Sequence, residues 1–334
     1  MSATLTAVER TMHAIVNSEY GPPEDLKLAE IAPPAVDEDG VLVRVRAASV
    51  NPFDWHTMRG QPYLVRLMMG LRRPKRPVRG VDMAGTVEAV GANVTQVRPG
   101  DEVYGWGRYG ALAEYERAGE NSCVPKPAAF SFEQAAAIPM AGCTALQALR
   151  DKGRLQPGQR VLINGAAGGV GTFAVQIAKA LGANVTGVCS TRNVDLVRSI
   201  GADQVVDYTA EDFAKGPQRY DLIVTLAGNR SLSDLRRALT PKGTLVLAGG
   251  GSEGNWLAPL LGPLGALILS RFVGQRLVTL LAVMRKDDLL FLNELIDAGK
   301  LTPVIDRTYP LAEAPEALRY LEAGHARGKV VVTV

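Results

Sequence analysis

The 334-residue chain is poor in the residues that build metal sites and disulfide frameworks, with three cysteines and three histidines. Cys123, Cys143 and Cys189 are odd in number and have no metal-like spacing. Neither a disulfide scaffold nor a zinc ribbon is indicated, and the reduced thiols of a cytoplasmic protein are expected. A dominant charge is missing too. The net charge of +3 and the absence of a long basic block speak against nucleic-acid binding. The densest basic stretch, 66–79 with Arg72, Arg73, Lys75 and Arg76, reads as a solvated loop or as a contact for a phosphate-rich partner. The longest apolar stretch, 256–283, is broken by Pro259, Pro263, Arg271 and Arg276 and makes a poor membrane span. Three readings fit it: a buried helix followed by an interface strand over 272–281, a lid on an apolar pocket, or peripheral membrane attachment. The first eleven residues lack the apolar core of a signal peptide and read as a loose extension.

What is present is ordinary globular material, 47% hydrophobic and 21% charged, in a chain long enough for two cores. Residues 12–125 alternate short β-like runs (41–46, 85–90, 101–104) with Gly, Pro and Asp, the pattern of a small β-rich, barrel-like domain. From Ser131, with Glu133 and Gln134 placed to cap, the pattern becomes helical and then alternates strand and helix. Strands are expected over 160–164, 185–188, 220–225 and 243–248, with helices from about 169, over 231–239 and over 287–298. This is an open parallel sheet. The last run, 329–334, has no strand nearby in sequence and is stable only if added to an existing sheet, that of the first domain.

The run from 160 onward carries the clearest chemistry. A buried strand leads into Gly165, Ala167, Gly168, Gly169, Val170 and Gly171, and then a helix with Phe173, Val175, Ile177 and Leu181 among its apolar positions. Glycines there let backbone amides approach a pyrophosphate, and the helix N-terminus adds partial positive charge. Ala166 replaces one glycine of the strict dinucleotide fingerprint, leaving Gly165-x-x-Gly168-x-x-Gly171. About twenty residues on, the next strand ends at Ser190, Thr191 and Arg192, with no acid before Asp195. An adenine ribose belongs at that position, where a carboxylate selects NAD. Hydroxyls and a guanidinium instead suit a 2′-phosphate, so NADPH is expected. The same hydroxyls also suit a helix cap.

Taken together, 49–54, 80–87, 97–103, 165–171 and 328–331 resemble, in order and spacing, the zinc-independent quinone oxidoreductase-like branch of the medium-chain dehydrogenase/reductase superfamily, over residues 12–334. The resemblance implies an α/β fold of two parts. One is a GroES-like β-rich catalytic domain (12–130 with 301–334), the other a Rossmann doubly wound parallel-sheet domain (131–300), and the active site lies in the cleft between them. The zinc-ligand places of metal-holding relatives fall on Asn51, Val81 with Asp82, and Met140. An amide, a valine and a thioether are poor Zn²⁺ donors, so no metal is expected. Hydride delivery to a quinone or enone needs no strong Lewis acid, because the charge spreads to a carbonyl oxygen that hydrogen bonds stabilise.

By the same resemblance, Asn51 and Asp54 lie beside the nicotinamide and Tyr63 donates a hydrogen bond to the substrate oxygen. Asn51 also fits simple turn formation before Pro52. Thr144, Tyr208, Ala227, Ala248, Gly249, Gly250 and Lys329 join the glycine loop and Ser190–Arg192 as cofactor contacts. The function implied is NADPH-dependent reduction of a small quinone or enone by a homodimer built through 272–281. Two other readings are a nucleotide-binding accessory or sensor protein with vestigial activity, and a membrane-associated lipid enone or ubiquinone reductase.

Overall fold

The computed structural model describes residues 11–63, 65–108, 110–228, 230–248 and 273–334. The extension 1–10, Gly249 and Gly250, and the apolar stretch up to residue 272 lie outside the described residues.

Two sheets organise the chain. The second half forms six strands in the order Gln204–Asp207, Asn184–Cys189, Arg160–Asn164, Tyr220–Thr225, Leu239–Leu247, Arg276–Thr279. Every neighbouring pair is parallel. This is the doubly wound dinucleotide-binding order, which reverses between the central strands Arg160–Asn164 and Tyr220–Thr225. Val161, Leu162 and Ile163 are fully buried, as an apolar run covered on both faces requires. Helix Gly169–Ala180 packs Phe173, Ala174, Ile177 and Ala178 onto the sheet.

The first half is antiparallel around one long strand, Gly40–Val50. It pairs along its length with Asp82–Val90, through register shifts near Leu42 and Val45 that curl the sheet. Its other edge is shared: residues 40–44 pair with Tyr115–Gly119, and residues 47–50 with the C-terminal strand Lys329–Thr333. Val330 stands opposite Val50, so this register brings Lys329 level with Asn51 from 278 residues away. The expected capping at Ser131 is present. Ser131 Oγ accepts from the Gln134 amide at 3.3 Å, and Gln134 Oε1 accepts from the Ser131 amide at 3.0 Å.

Two elements in the C-terminal segment are absent from the sequence reading, strand Ile305–Pro310 and helix Ala314–Glu322. The helix lies against Pro52–Arg59, where Arg59 grips Glu322 (Nη2 to Oε2, 2.9 Å).

Candidate active site

A cleft of about 620 Å³ opens between the two halves. One wall is the turn and first helix after the long strand, with Asn51, Pro52, Trp55 and His56. The opposite wall is the glycine loop, the strand end from Val188 to Asn193, Tyr208, and the strand ends at Leu226, Ala227 and Ala248. Residues 321–329 close one side, including Glu322, His325, Gly328 and Lys329.

The glycine loop is shaped for close approach. Gly165 takes φ +92°, a conformation that favours glycine. A Cβ on Gly171 would stand 2.1 Å from the Gly165 carbonyl oxygen, so the helix seats against the strand only with glycine there. At Gly168 the added Cβ meets nothing nearer than that same oxygen at 3.6 Å, leaving open space above the loop. Gly168 caps helix Gly169–Ala180 without any side-chain hydrogen bond, and the helix has no acid in its first turn. Its first amides are therefore available to an anion.

At the neighbouring strand end, Ser190 Oγ accepts from Asn193 Nδ2 at 3.2 Å. The buried Asn193 Oδ1 has no partner among the described residues. Arg192 reaches across the cleft to donate to the His325 carbonyl (3.2 Å). An open cradle and an orphaned polar atom on the same wall fit a dinucleotide. Ser190 does not cap the following turn through its side chain. Thr191 turns away from the cleft and shares a 2.9 Å hydrogen bond with Thr209.

The floor of the catalytic wall is a buried polar cluster. Lys329 Nζ donates to Asn51 Oδ1 at 2.5 Å and lies 3.5 Å from Asp82 Oδ2. Asn51 Nδ2 donates to Asp82 Oδ2 (2.9 Å), as does Ser49 Oγ (3.0 Å), while the Met140 amide takes Asp82 Oδ1 (3.1 Å). The Asn51 amide is thus fixed in one orientation. Asn51, Val81–Asp82 and Met140 do converge, but on hydrogen bonds to Asp82. Among the described residues no group of three or more His, Cys, Asp or Glu side chains is placed to hold a metal.

Asp54 accepts from the Asn51 backbone amide at 2.7 Å, completing a capping box. Burial, then the Asp82 charge, push its carboxyl up to about 7. Burial also raises Asp82 and lowers Lys329. Each partner shifts toward its neutral form because desolvation outweighs the attraction between them.

The structure gathers Asn51, the glycine loop, Ser190, Arg192, Tyr208, Ala227, Ala248 and Lys329 on one cleft. Four expected site residues do not line it: Asp54, Tyr63, Thr144 and Thr191. Asp54 lies behind Asn51. Tyr63 lies beneath the Arg66 guanidinium (4.7 Å), and Thr144 Oγ1 is turned back onto the Met140 carbonyl (2.6 Å). Conversely, sequence reasoning did not assign the cleft residues Trp55, Asn164, Asn193, Glu322 and His325, and passed over His56. Asn193 directly follows Ser190–Arg192 and was within reach of the same argument. Glu322 and His325 carried no local signal, because they enter through the unassigned helix. The His56 ring stacks on Trp55 at 3.7 Å with Nδ1 2.8 Å from the Gln61 carbonyl, and burial lowers its pKa.

Similarity to known proteins decides the family. A chloroplast envelope quinone oxidoreductase homolog of Arabidopsis thaliana is 33% identical over 97% of this chain and 98% of its own length. The chain belongs to the medium-chain dehydrogenase/reductase superfamily, in its quinone oxidoreductase-like branch. The alcohol dehydrogenase GroES-like domain family matches residues 37–128 of this superfamily member, and the family described as zinc-binding dehydrogenase matches 200–332. An NADPH-dependent alkenal/one oxidoreductase, chloroplastic, also from Arabidopsis thaliana, is 34% identical over 98% of this chain and 80% of its own length. The structure of the quinone oxidoreductase from Coxiella burnetii matches at a TM-score of 0.83 with 32% identity, covering 97% of this chain and all of that one. The β-rich half is the GroES-like domain and the parallel sheet is Rossmann-like. As a member of this branch the protein is an oxidoreductase that uses a pyridine nucleotide and acts on a small molecule. No helix among the described residues is long and apolar enough to cross a membrane.

Proposed function

We propose that this protein is an NADPH-dependent, zinc-free reductase that delivers hydride to quinones or α,β-unsaturated carbonyls. The observation that carries the reading is the floor of the cleft. At the places where metal-holding relatives carry their ligands, this chain has an amide, a valine and a thioether. The amide is locked between the Lys329 ammonium and the Asp82 carboxylate. That donor chemistry suits a hydrogen-bonding site for an already electrophilic substrate, not a Lewis-acid site.

When bound, the nicotinamide supplies the hydride. The remaining tasks belong to the chain. The amides of 168–171 and the helix N-terminus receive the pyrophosphate, with Ala227 and Ala248 along the nicotinamide ribose. Ser190, Arg192 and Tyr208 receive the adenosine phosphate, with Thr191 held beside them by Thr209. Preference for NADPH rests on Arg192 and on the lack of an acid among the cleft residues from 188 to 193. Asn51 presents its fixed amide to the nicotinamide side, and Asp54 acts through the Asn51 backbone. Tyr63 and Thr144 act at one remove, and His56 is an ionisable ring on the catalytic wall of the cleft, available for a proton.

Three buried free cysteines support a reducing compartment such as the cytoplasm. The outer position of strand Arg276–Thr279 in the six-stranded sheet, followed by Leu281 at 88% exposure, supports a homodimer formed through that edge. The decisive assay is NADPH oxidation with a panel of quinones and enones. Turnover with at least one class is expected. No turnover on any of them, with NADPH binding intact, overturns the reading.

A further inference from the structure

We infer that the tip formed by residues 67–76 is a docking surface for an anionic phospholipid membrane, set beside the active-site helix. Residues 66–79 contain six cations and no acid in a chain of net charge +3, so the rest of the chain is net acidic. Two of the six are drawn back into the fold. Arg66 donates to the Gly60 carbonyl (2.9 Å) and lies over the Tyr20 ring, and Arg79 is buried. The other four, Arg72, Arg73, Lys75 and Arg76, are exposed. The fold adds another exposed cation, because the Arg76 guanidinium donates to the carbonyl of Arg108. Arg73 is met by the exposed Glu19 at 3.6 Å.

Among these charges stand Leu67 at 65% exposure and Leu71 at 68%. Solvated charge alone does not account for two bare leucines at the centre of a cationic tip. A nucleic acid offers nothing to an aliphatic side chain here, and residues 67–76 contain no aromatic ring for base stacking. A bilayer surface satisfies both parts, with leucines in the acyl boundary and cations among anionic headgroups.

The tip is also preformed. Gly70 adopts φ +120°, where an added Cβ would stand 2.1 Å from the Arg73 carbonyl oxygen. The turn is closed by Lys75 N to Met69 O (2.7 Å) and held by Tyr20 OH to Gly70 O (2.6 Å). Little ordering is left for the membrane to impose. Arg66 fastens the tip to the C-terminal end of helix Pro52–Arg59, whose first turns line the cleft. One eight-residue helix, roughly 12 Å, separates the two. A lipophilic substrate dissolved in the bilayer then has a short path to the site.

The test is flotation of the full chain, without cofactor or substrate, on phosphatidylcholine vesicles with and without about one quarter phosphatidylserine. Binding is expected only to the anionic vesicles. Arg72→Ser/Arg73→Ser/Lys75→Ser is expected to lower it by about fivefold per residue removed and to flatten its salt dependence. Leu67→Ser/Leu71→Ser is expected to lower it at least about tenfold with the salt dependence unchanged. Unchanged melting curves identify folded variants. Absence of binding, or binding indifferent to both sets, overturns the inference. Equal affinity for soluble polyphosphate with no effect of the leucines overturns it too, and makes the tip a general polyanion contact. Because no turnover is measured, a negative result here is separate from failure of the reductase reading.

Discussion

Asp54 gives the sharpest prediction, because its carboxyl is fully buried and its one acceptor role does not require charge. Oδ2 accepts the Asn51 amide at 2.7 Å, and an asparagine oxygen in its place accepts equally well. Burial and the Asp82 charge raise the carboxyl from 3.8 to about 7, which at about 1.4 kcal/mol per tenfold makes its ionisation in the fold cost about 4 kcal/mol. Between those two values the folded state binds the proton more tightly than the unfolded chain does. This group therefore stabilises the fold fully below 3.8, and that contribution is lost as pH rises through about 7. Asp54→Asn removes the titration and keeps the hydrogen bond. Measured by urea unfolding, the variant should be about 2–4 kcal/mol more stable than the parent near pH 8, with the gap closing toward pH 4. Titrations of groups away from Asp54 cancel in the difference between the two proteins, and only those of its charged neighbours Asp82, Lys329 and Arg79 shift with it. Parallel stability–pH curves would refute the reasoning. A further check comes from Asp82→Asn, which should move the Asp54 inflection to lower pH, since Asp82 is the second cause of its rise.

Three other outcomes follow from the same geometry. Lys329→Met leaves the Asp82 carboxylate buried without its cation and should cost about 3–5 kcal/mol, part of it recovered by adding Asp82→Asn in a double-mutant cycle. Independent, additive losses would exclude the pair as a unit. Gly168→Ala, where the Cβ has room, should leave the melting temperature unchanged while weakening NADPH binding. Gly171→Ala, driven against the Gly165 carbonyl, should destabilise the fold itself. Titration calorimetry with scanning calorimetry separates the two, and equal behaviour of both variants contradicts the cradle. Arg192→Ala should weaken NADPH by about 10–100-fold and NADH far less, measured as the ratio of dissociation constants. An equal loss for both cofactors removes Arg192 from the phosphate site.

The Rossmann-like half was legible because its signals are local. A strand such as Arg160–Asn164 announces itself by an unbroken apolar run, a helix by apolar period, and the loop between them by its glycines, of which Gly165 by its φ and Gly171 by its contacts admit no side chain. Ser131 and Gln134 were legible for the same reason, three residues apart. Helix Ala314–Glu322 was missed and strand Ile305–Pro310 was not assigned, and with them went Glu322 and His325. Tyr63 was carried to the substrate by resemblance, whereas the fold stacks it with Arg66 and gives the cleft to His56 seven residues earlier.

The sequence by itself determined the central strands and helices of the Rossmann-like half, the glycine loop, the acid-free stretch 190–194 and the poor metal donors at 51, 81 and 140, because each depends on residue type or on spacing within one turn or strand. The tertiary structure alone decided which side chains meet. Lys329 reaches Asn51 because the last strand pairs with the end of the longest one, and a register of that kind is fixed by packing over hundreds of residues. The same holds for Asp54. Its identity says carboxylate, but its burial beside Asp82, a consequence of how helix Pro52–Arg59 seats on the sheet, brings it near 7.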